Sequence, residues 1–481
     1  MVLAELFPYA HIVYDILMVL YVITIVSVII IVIGENRNPL KSLAWVAVLV
    51  LLPVAGLVLY LFFGRSLRSR HLIPRKDWMK LVHAHSGSRE HIESLVPDIC
   101  SQHQMRLAEA LVEAPCYTGN NIDIYTDGKS KFEALKHDIE TAQDYILLQY
   151  YIFENDAIGH EISNLLIKKA QQGIHVHVIY DHIGSYTINA AFFHRMRRAG
   201  VEAYPFLKVT FTTIAARLNW RNHRKMVVID GKVGYIGGMN IADRYVTGEK
   251  GKQPWRDTHI RITGEAVKGL FFSFAVDWDF MQHKLLTMPQ QETNTPATGN
   301  NTMQIVASGP TDKWNAMAFV VQKAISMARK SLYIQTPYFL PNDAQLKALQ
   351  VAALSGVDVR LMIPRDTDSV ILKYATRSYL KECLLAGIKI YFYESTMMHS
   401  KAIIVDDNFV TVGSTNFDFR SFEHNFECNA LIYNQDFNRR MKEIFAADQR
   451  CCTRIILSEW KRRNQFAKAF ESILRLLAPI L

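Results

Sequence analysis

Several features that would assign a function at once are missing from this sequence. It has only six cysteines in 481 residues, and their spacings match neither a metal-binding nor a redox motif. A disulfide scaffold is excluded as well, because a chain of this length builds its cores without covalent staples. The sequence has no glycine-rich phosphate loop, no zinc pattern and no dinucleotide fingerprint. We therefore expect neither a metal nor an organic cofactor.

Charge is absent from two long stretches near the N-terminus. Residues 16–33 and 43–63 carry no charged side chain, and a polar turn separates them. A helix needs about 20 apolar residues to cross a bilayer. We predict a two-helix transmembrane hairpin, with helices at about 16–33 and 43–63, inside an anchor of residues 1–70. The alternative is a pair of buried core helices, whereas a signal peptide is disfavoured because no basic residue precedes Ile16.

Basic residues gather directly after the second apolar stretch. Five of them precede the first acid of this region: Arg65, Arg68, Arg70, Arg75 and Lys76. Positive residues flanking a membrane span stay on the cytoplasmic side. We therefore predict a multi-pass protein of the cell (inner) membrane, with its N-terminus and its large C-terminal part both facing the cytoplasm.

The remaining composition is that of a folded protein. Half of the residues are hydrophobic and 11% are aromatic, which excludes disorder as the main state. The net charge of +9 fits an anionic partner, such as acidic lipid or nucleic acid, without choosing between them. From about Tyr117 onwards, short apolar strands alternate with amphipathic helices. This pattern predicts an α/β architecture.

One motif occurs twice. The pattern H-x-K-x4-D-x6-G-[GS]-x-N begins at residue 223 and returns at a constant offset of 176 residues. Its polar members are His223, Lys225, Asp230 and Asn240 in the first copy, and His399, Lys401, Asp406, Ser414 and Asn416 in the second. In each copy, histidine and lysine stand two residues apart, on one face of a strand, ahead of an apolar run. A duplication that packs about a pseudo-twofold axis would bring two imidazoles and two ammonium groups together.

These residues resemble the paired HKD motifs of the phospholipase D superfamily. Other segments resemble the bacterial cardiolipin synthases more narrowly: the N-terminal hairpin, residues 255–264 (WRDTHIRITG), residues 416–427 (NFDFRSFEHNFE) and the ending LLAPIL. The resemblance implies a duplicated phospholipase D-like fold of two α/β/α halves. We expect a linker at 71–116, a first half at 117–295, a second half at 296–450, and a basic, amphipathic tail at 451–481.

The resemblance also implies an activity. A membrane-bound cardiolipin synthase joins two phosphatidylglycerol molecules, releases glycerol and passes through a phosphatidyl-histidine. A phospholipase D that uses water or another alcohol as acceptor is the alternative, and a nuclease is a weaker one. The expected partners are phosphatidylglycerol and anionic membrane lipid, and no nucleic acid. The sequence does not indicate an oligomeric state.

Roles for the motif residues follow from the same resemblance. We expect His223 to be the nucleophile and His399 the general acid/base, although the pseudosymmetry leaves the reverse assignment open. Lys225 and Lys401 would offset charge on the phosphoryl oxygens. Asn240, Asn416 and Ser414 would donate hydrogen bonds to the same oxygens.

Four carboxylates are assigned supporting roles. Asp230 and Asp406 each follow an apolar run, so we expect them to fix the motif strand and its lysine rather than touch phosphate. A nucleophilic imidazole also needs its second ring nitrogen held. Asp257 and Glu427, on strand-like segments after each motif, are the candidates, and ordinary surface acids are the alternative.

Two further segments carry hypotheses about membrane contact. The first half has about 11 extra residues, at 207–217, which we interpret as a lip that guides a lipid headgroup; a packed surface loop is the alternative. In the tail, Phe466, Phe470, Ile473, Leu474 and Leu477 share one helical face. That helix either lies on the membrane or packs on the catalytic halves.

Overall fold

The computed structural model describes residues 10–34, 39–52, 54–60, 64, 72–85, 95–96, 98–207, 220–249, 251–286 and 299–478. These residues fall into two units, one ending at Gly64 and one beginning at Leu72, and each is described by itself. Apart from Leu207, the predicted lip at 207–217 lies outside the described residues.

The first unit is a group of apolar helices. They are α1 (Ala10–Gly34), α2 (Pro39–Leu51) and α3 (Ala55–Leu59). Helix α1 is long and apolar enough to cross a membrane. It packs on the other two through a small buried cluster of Ile25, Val32, Leu49 and Tyr60, in which the Trp45 and Tyr60 rings meet edge to face at 5.5 Å.

The second predicted span, at 43–63, is not one helix. It breaks between Leu51 and Ala55, where Val54 takes a positive φ of 54°. The sequence has Pro53 at this break, and a proline removes a helical N–H donor and clashes with the preceding turn. The 13 residues of α2 cover about 20 Å at the helical rise per residue, which is less than the hydrocarbon thickness. Within the described residues this stretch forms two helical pieces, and the two-helix transmembrane hairpin stays a prediction.

The second unit is built around one long sheet. In chain order, its strands and those of a small two-stranded sheet are β1 (Tyr117–Tyr125), β2 (Tyr145–Tyr150), β3 (His175–Asp181), β4 (Glu202–Phe206), β5 (Arg221–Asn222), β6 (Lys225–Ile229), β7 (Val233–Gly237), β8 (His259–Thr263), β9 (Asn301–Ser308), β10 (Ser331–Gln335), β11 (Phe339–Leu340), β12 (Asp358–Pro364), β13 (Lys389–Tyr393), β14 (Ala402–Val405), β15 (Phe409–Gly413), β16 (Phe417–Asp418), β17 (Asn425–Ile432) and β18 (Cys452–Arg454).

The sheet is a duplication joined at its centre. The first half runs β1-β8-β7-β6-β2-β3-β4, and the second half runs β9-β17-β15-β14-β10-β12-β13 in the matching order. Strands β1 and β9 pair antiparallel where the halves meet. In both halves the motif strand, β6 or β14, lies next to the strand that starts the parallel part, β2 or β10. The predicted duplicated α/β fold is confirmed.

Helices cover both faces of the sheet. They are α4 (Arg75–His85), α5 (Ile99–Val112), α6 (Gly128–Thr141), α7 (Ala157–Gln171), α8 (Ala190–Arg198), α9 (Val267–Gln282), α10 (Ala316–Met327), α11 (Asp343–Leu354), α12 (Val370–Leu385), α13 (Phe419–Glu423), α14 (Gln435–Gln449), α15 (Leu457–Lys461) and α16 (Gln465–Leu476). Helices α6–α8 and α10–α12 bury their apolar sides in two outer cores. Helices α9 and α14 share a third core on the opposite face.

The segment expected to be a linker, 71–116, contributes to these cores. Helix α4 packs on α9, with the rings of Trp78 and Phe272 edge to face at 5.2 Å. Helix α5 buries Met105 and Ala108 completely, three residues apart on one helical face. Polar residues conceal this amphipathic spacing in the sequence, because α5 also buries Gln102 and Gln104.

The tail packs on the second half, which is one of the two alternatives stated for its helix. Strand β18 extends the sheet beside β13. Helix α16 then packs on α12, with Leu474 and Glu471 buried. The Glu471 carboxylate pairs with Arg463 at 2.7 Å, which explains how an acid lies on the buried side.

Candidate active site

Each motif histidine is placed by the backbone of the opposite half. Strand β5, just before His223, pairs with β17 of the second half, and the His223 N–H donates to the carbonyl of Phe426 at 2.9 Å. In the second half, the His399 N–H donates to the carbonyl of Arg256 at 2.7 Å. The two motifs are therefore held at the seam between the halves.

Carboxylates of the opposite half also hold the imidazole rings. Nδ1 of His223 lies 3.0 Å from a Glu427 carboxylate oxygen, and Nδ1 of His399 lies 2.6 Å from Asp257 Oδ2. Both carboxylates are fully buried. They are the two acids that the sequence suggested, but each holds the histidine of the other half.

The motif lysines bend back onto their own histidines. Lys225 Nζ donates to the carbonyl oxygen of His223 at 2.5 Å, and Lys401 Nζ donates to that of His399. Lys401 Nζ also lies 2.8 Å from Nδ1 of His399. The four groups influence one another across the seam: Lys401 lowers the pKa of His223, and both Lys225 and His223 lower the pKa of His399.

Burial dominates the titration of this cluster. It lowers the pKa of His223 to about 4, although Glu427 acts in the opposite direction. The pKa of His399 falls well below its ordinary value, first through burial and then through Lys401. His223 is therefore neutral near pH 7, and neutral imidazole is the form that can attack phosphorus.

The two orienting acids differ in their electrostatics. Burial raises the pKa of Asp257 to about 6. Burial also acts to raise the pKa of Glu427, but His223 and Lys225 outweigh it, so that this pKa is lowered. The pKa of Lys401 falls to about 8, mainly through burial. The pseudosymmetric halves thus hold their histidines with carboxylates of different acidity.

A glycine and a serine account for part of this difference. At Gly238 an added Cβ would lie 2.2 Å from Asp257 Oδ1, so the position has room only for glycine. The equivalent Ser414 instead donates its hydroxyl to Glu427. The Ser414 hydroxyl is thus engaged by the orienting carboxylate, and its hydrogen bond to phosphate stays a prediction.

The two motif asparagines have different surroundings. Asn240 accepts from the Ile152 amide at 3.2 Å and donates to the Tyr245 hydroxyl at 3.2 Å. That hydroxyl is 3.2 Å from Nδ1 of His399, so Tyr245 lies between Asn240 and the second motif histidine. Asn416 is buried, and within the described residues its Oδ1 has no hydrogen-bond partner.

The motif aspartates lie at the far end of their strands. Asp230 accepts from three backbone amides, those of Gln143, Asp144 and Tyr145. Asp406 accepts from the amides of Arg329, Lys330 and Ser331. At about 3.3 Å per residue, the strand separates each aspartate from its lysine by roughly 16 Å. They secure the start of β2 and β10, and they do not touch the lysines.

Comparison with known proteins agrees with this geometry. A family model described as "Cardiolipin synthase, PLD-like domain" matches residues 135–251 and 321–449. The "Major cardiolipin synthase ClsA" of Bacillus subtilis (strain 168) is 38% identical, over 96% of this chain and 98% of its own length. A "Cardiolipin synthase 2" of Staphylococcus epidermidis is 37% identical, over 98% of this chain and 99% of its own length.

This chain belongs to the family of PLD-like cardiolipin synthases. A second family model, "Phospholipase_D-nuclease N-terminal", matches residues 19–65, which include most of α1 and agree with membrane association. Among solved structures, a phosphatidylserine synthase of Haemophilus influenzae Rd KW20 has a TM-score of 0.60 at 13% identity. It covers 79% of this chain and 100% of that one, and this likeness supports the fold alone.

Sequence analysis missed two buried Arg–Asp pairs in this cardiolipin synthase fold. Asp277 on α9 accepts from Gln149 at 2.5 Å and from Arg224 at 2.5 Å. The equivalent Asp448 on α14 accepts from Gln335 at 2.8 Å and from Arg256 at 2.7 Å. Each arginine also donates to the backbone carbonyl of an orienting acid, Glu427 or Asp257.

No sequence signal marks these pairs, because the two arginines occupy different places in the chain. Arg224 follows the first motif histidine, whereas Arg256 precedes Asp257. Aromatic side chains around the imidazoles were missed as well. The ring of Tyr151 lies 5.0 Å from that of His223, and the ring of Trp255 lies 5.4 Å from that of His399. Within the described residues, no cluster of three or more His, Cys, Asp or Glu side chains is arranged to hold a metal ion.

Proposed function

We propose that this protein transfers a phosphatidyl group from one phosphatidylglycerol to the terminal hydroxyl of a second, giving cardiolipin and glycerol. One observation carries the proposal: two buried imidazoles, each held at Nδ1 by a carboxylate of the opposite half, share a site with two motif lysines. The cardiolipin synthases that match nearly the whole chain support the choice of lipid.

In the first step, Nε2 of His223 attacks the phosphorus of the donor lipid. The bond from phosphorus to the glycerol oxygen breaks, and the leaving oxygen takes a proton from Nε2 of the His399 imidazolium, which becomes neutral imidazole. Lys225 and Lys401 stabilise the charge that builds on the phosphoryl oxygens. In the second step, the acceptor hydroxyl gives its proton to His399 and its oxygen bonds to phosphorus. The phosphorus–nitrogen bond then breaks, and both histidines return to their starting states.

Contacts at Nδ1 leave Nε2 of each histidine for the reaction. Ionised Glu427 accepts the proton of His223 Nδ1, which leaves a lone pair on Nε2 for attack. At His399, ionised Asp257 accepts the Nδ1 proton at 2.6 Å. The imidazolium form of His399 then carries a second proton on Nε2, and this is the proton that the leaving glycerol takes. A bound phosphodiester anion would favour that protonated state.

The product mixture tests the function directly. The full chain, purified in detergent micelles with phosphatidylglycerol, should form cardiolipin and free glycerol in equal amounts. His223→Ala and His399→Ala should each form neither product. Phosphatidic acid as the main lipid product would identify water as the acceptor, and the protein would then be a phospholipase D.

We also infer that α1 spans the cell membrane and that the catalytic unit faces the cytoplasm. The basic residues that follow the apolar segment, from Arg65 to Lys76, support this orientation. The anionic headgroups of the expected substrates lie at the same surface. Residues 39–59 would complete a multi-pass anchor through two helical pieces that pack on α1, rather than through one straight span.

A further inference from the structure

Helix α16 has two apolar surfaces, and only one of them faces the protein. Its inner side packs on α12: Phe470 meets the ring of Tyr374 at 5.3 Å, and Arg475 lies 4.2 Å from the ring centre of Tyr379. Because residue 470 meets 374 and residue 475 meets 379, the two helices run parallel. Their first turns therefore lie at the same end.

The other side of α16 is exposed. Phe466 is 85% exposed, Leu476 80% and Ile473 60%. The first turn of α12 adds Val370 and Ile371, which are 65% and 46% exposed. We call these five residues the rim patch, together with Phe470, which lies at the boundary of the two sides and is 46% exposed. A contiguous apolar surface on a folded protein marks a site of interaction.

The rim patch adjoins the catalytic cleft. Helix α12 begins at Val370, two residues after Asp368, which accepts a hydrogen bond from Tyr338 at 2.5 Å. Asp368 acts electrostatically on both His399 and Lys401. In the first half, the loop between β3 and α8 occupies the equivalent position, and there Tyr186 is 76% exposed. Apolar side chains therefore project beside the cleft from both halves.

Basic side chains border the rim patch. Lys461, Arg462 and Lys468 lie at or near the start of α16, and they take part in none of the ion pairs found among the described residues. An apolar helical face with a basic border fits the surface of an anionic bilayer, where the apolar side chains enter the acyl region and the cations meet phosphate.

We propose that the rim patch inserts into an anionic bilayer and thereby places the mouth of the catalytic cleft against the membrane surface. This proposal rests on the lipid substrate of the proposed function. A membrane-spanning helix alone keeps the enzyme at the membrane, but it does not orient the cleft. The rim patch supplies that orientation, so that a headgroup reaches the histidines while its acyl chains remain in the bilayer.

The test compares two substrates in the full chain. The double variant Phe466→Ser/Ile473→Ser should lose about tenfold in turnover on vesicles of phosphatidylglycerol and phosphatidylethanolamine. It should change less than about twofold on short-chain phosphatidylglycerol kept monomeric. The matched control is Val351→Ser/Leu354→Ser, two residues of α11 that are 63% and 73% exposed. They lie at the end of α11, just before β12 begins. This end of the strands is opposite the cleft.

The control should match the unmodified chain on both substrates. Equal loss on vesicles and on monomers in the Phe466→Ser/Ile473→Ser variant would assign the patch to folding, and no loss on vesicles would remove its role. Either result overturns the proposal. Failure of the unmodified chain on both substrates would instead contradict the proposed function.

A measurement of how deeply the rim patch enters the bilayer distinguishes a lipid partner from a protein partner. A fluorophore on Ile473→Cys, in a Cys451→Ser background, should be quenched by lipids that carry a quencher in their acyl chains. The same fluorophore on Leu354→Cys should not be quenched. A label at position 473 that no acyl-chain quencher reaches would contradict insertion, including the case in which another protein covers it.

Discussion

At the scale of single residues, two titrating groups bound the working pH of the site. Asp257 holds His399 only when ionised, and burial raises its pKa to about 6. Lys401 stabilises phosphoryl charge only when protonated, and burial lowers its pKa to about 8. We predict a bell-shaped pH profile of kcat/KM on the monomeric substrate, falling below pH 6 and above pH 8.

The variant Asp257→Asn isolates the acidic limb of this profile. It removes the group that gains a proton as the pH falls, so the decrease near pH 6 should disappear while kcat drops about 100-fold at the optimum. Glu427→Gln is the matched variant, because the pKa of Glu427 is lowered rather than raised; it should reduce kcat and keep the limb near pH 6. A limb near pH 6 that survives Asp257→Asn would assign the titration to another group.

Gly238 gives a steric prediction at the same scale. A methyl group at this position would collide with Asp257 Oδ1 and displace the carboxylate from His399. Gly238→Ala should therefore reduce kcat by at least about tenfold. Ser414→Ala removes only a hydrogen bond to Glu427 and should reduce kcat less. The opposite ranking of the two variants, measured by initial rates at saturating substrate, would contradict this account of the two halves.

One feature of these residues could not be predicted from the sequence, namely which acid holds which histidine. Strand spacing picked out Asp257 and Glu427 as candidates, because each lies on a strand-like segment after a motif. Which histidine each acid holds depends on strands that meet across the seam, such as β5 on β17. That pairing joins residues about 200 positions apart, and no local pattern records it.

At the scale of elements, the motif aspartates secure the beginnings of strands. Asp230 accepts from three backbone amides and has a positive φ of 52°. Losing such an acceptor leaves amide donors without partners, which costs about 1–3 kcal/mol. Asp230→Ala should therefore lower Tm by several degrees in detergent micelles, while activity per folded molecule stays within about threefold.

The variant Asp406→Ala should behave in the same way, because its contacts are equivalent. Lys225→Ala is the contrasting variant, with a loss of at least about 100-fold in kcat. If Asp230→Ala loses activity on the scale of Lys225→Ala with an unchanged Tm, then the aspartate takes part in catalysis.

Helices and strands could be predicted where the hydrophobic residues follow a clear strand or helix pattern. The apolar runs of the motif strands and the alternation of strands with helices indicated the α/β sheet. The interruption between Leu51 and Ala55 was not predicted, because the stretch at 43–63 is uniformly apolar. Helix α5 was missed because it buries glutamines as well as apolar residues.

At the scale of the whole molecule, chemical labelling of a native cysteine tests the proposed orientation of the catalytic unit. Cys451 is exposed, whereas Cys116, Cys383 and Cys428 are buried. In intact cells, a membrane-impermeant maleimide should leave Cys451 unlabelled, and permeabilising the inner membrane should allow labelling. Cys451→Ser should remove that signal. Labelling of Cys451 in intact cells would place the catalytic unit outside the cytoplasm.

The central claim is that one histidine from each half takes part in a single transfer, with His223 carrying the phosphatidyl group. The most direct measurement uses His399→Ala and a phosphatidyl ester of p-nitrophenol, whose leaving group needs no proton. We predict a burst of one nitrophenol per enzyme, and a phosphatidyl group on the peptide that contains His223, detected by mass spectrometry under alkaline conditions. His223→Ala should give neither. A burst from His223→Ala, with the lipid phosphate on His399, would reverse the assignment, and a burst with no histidine adduct would contradict the covalent mechanism.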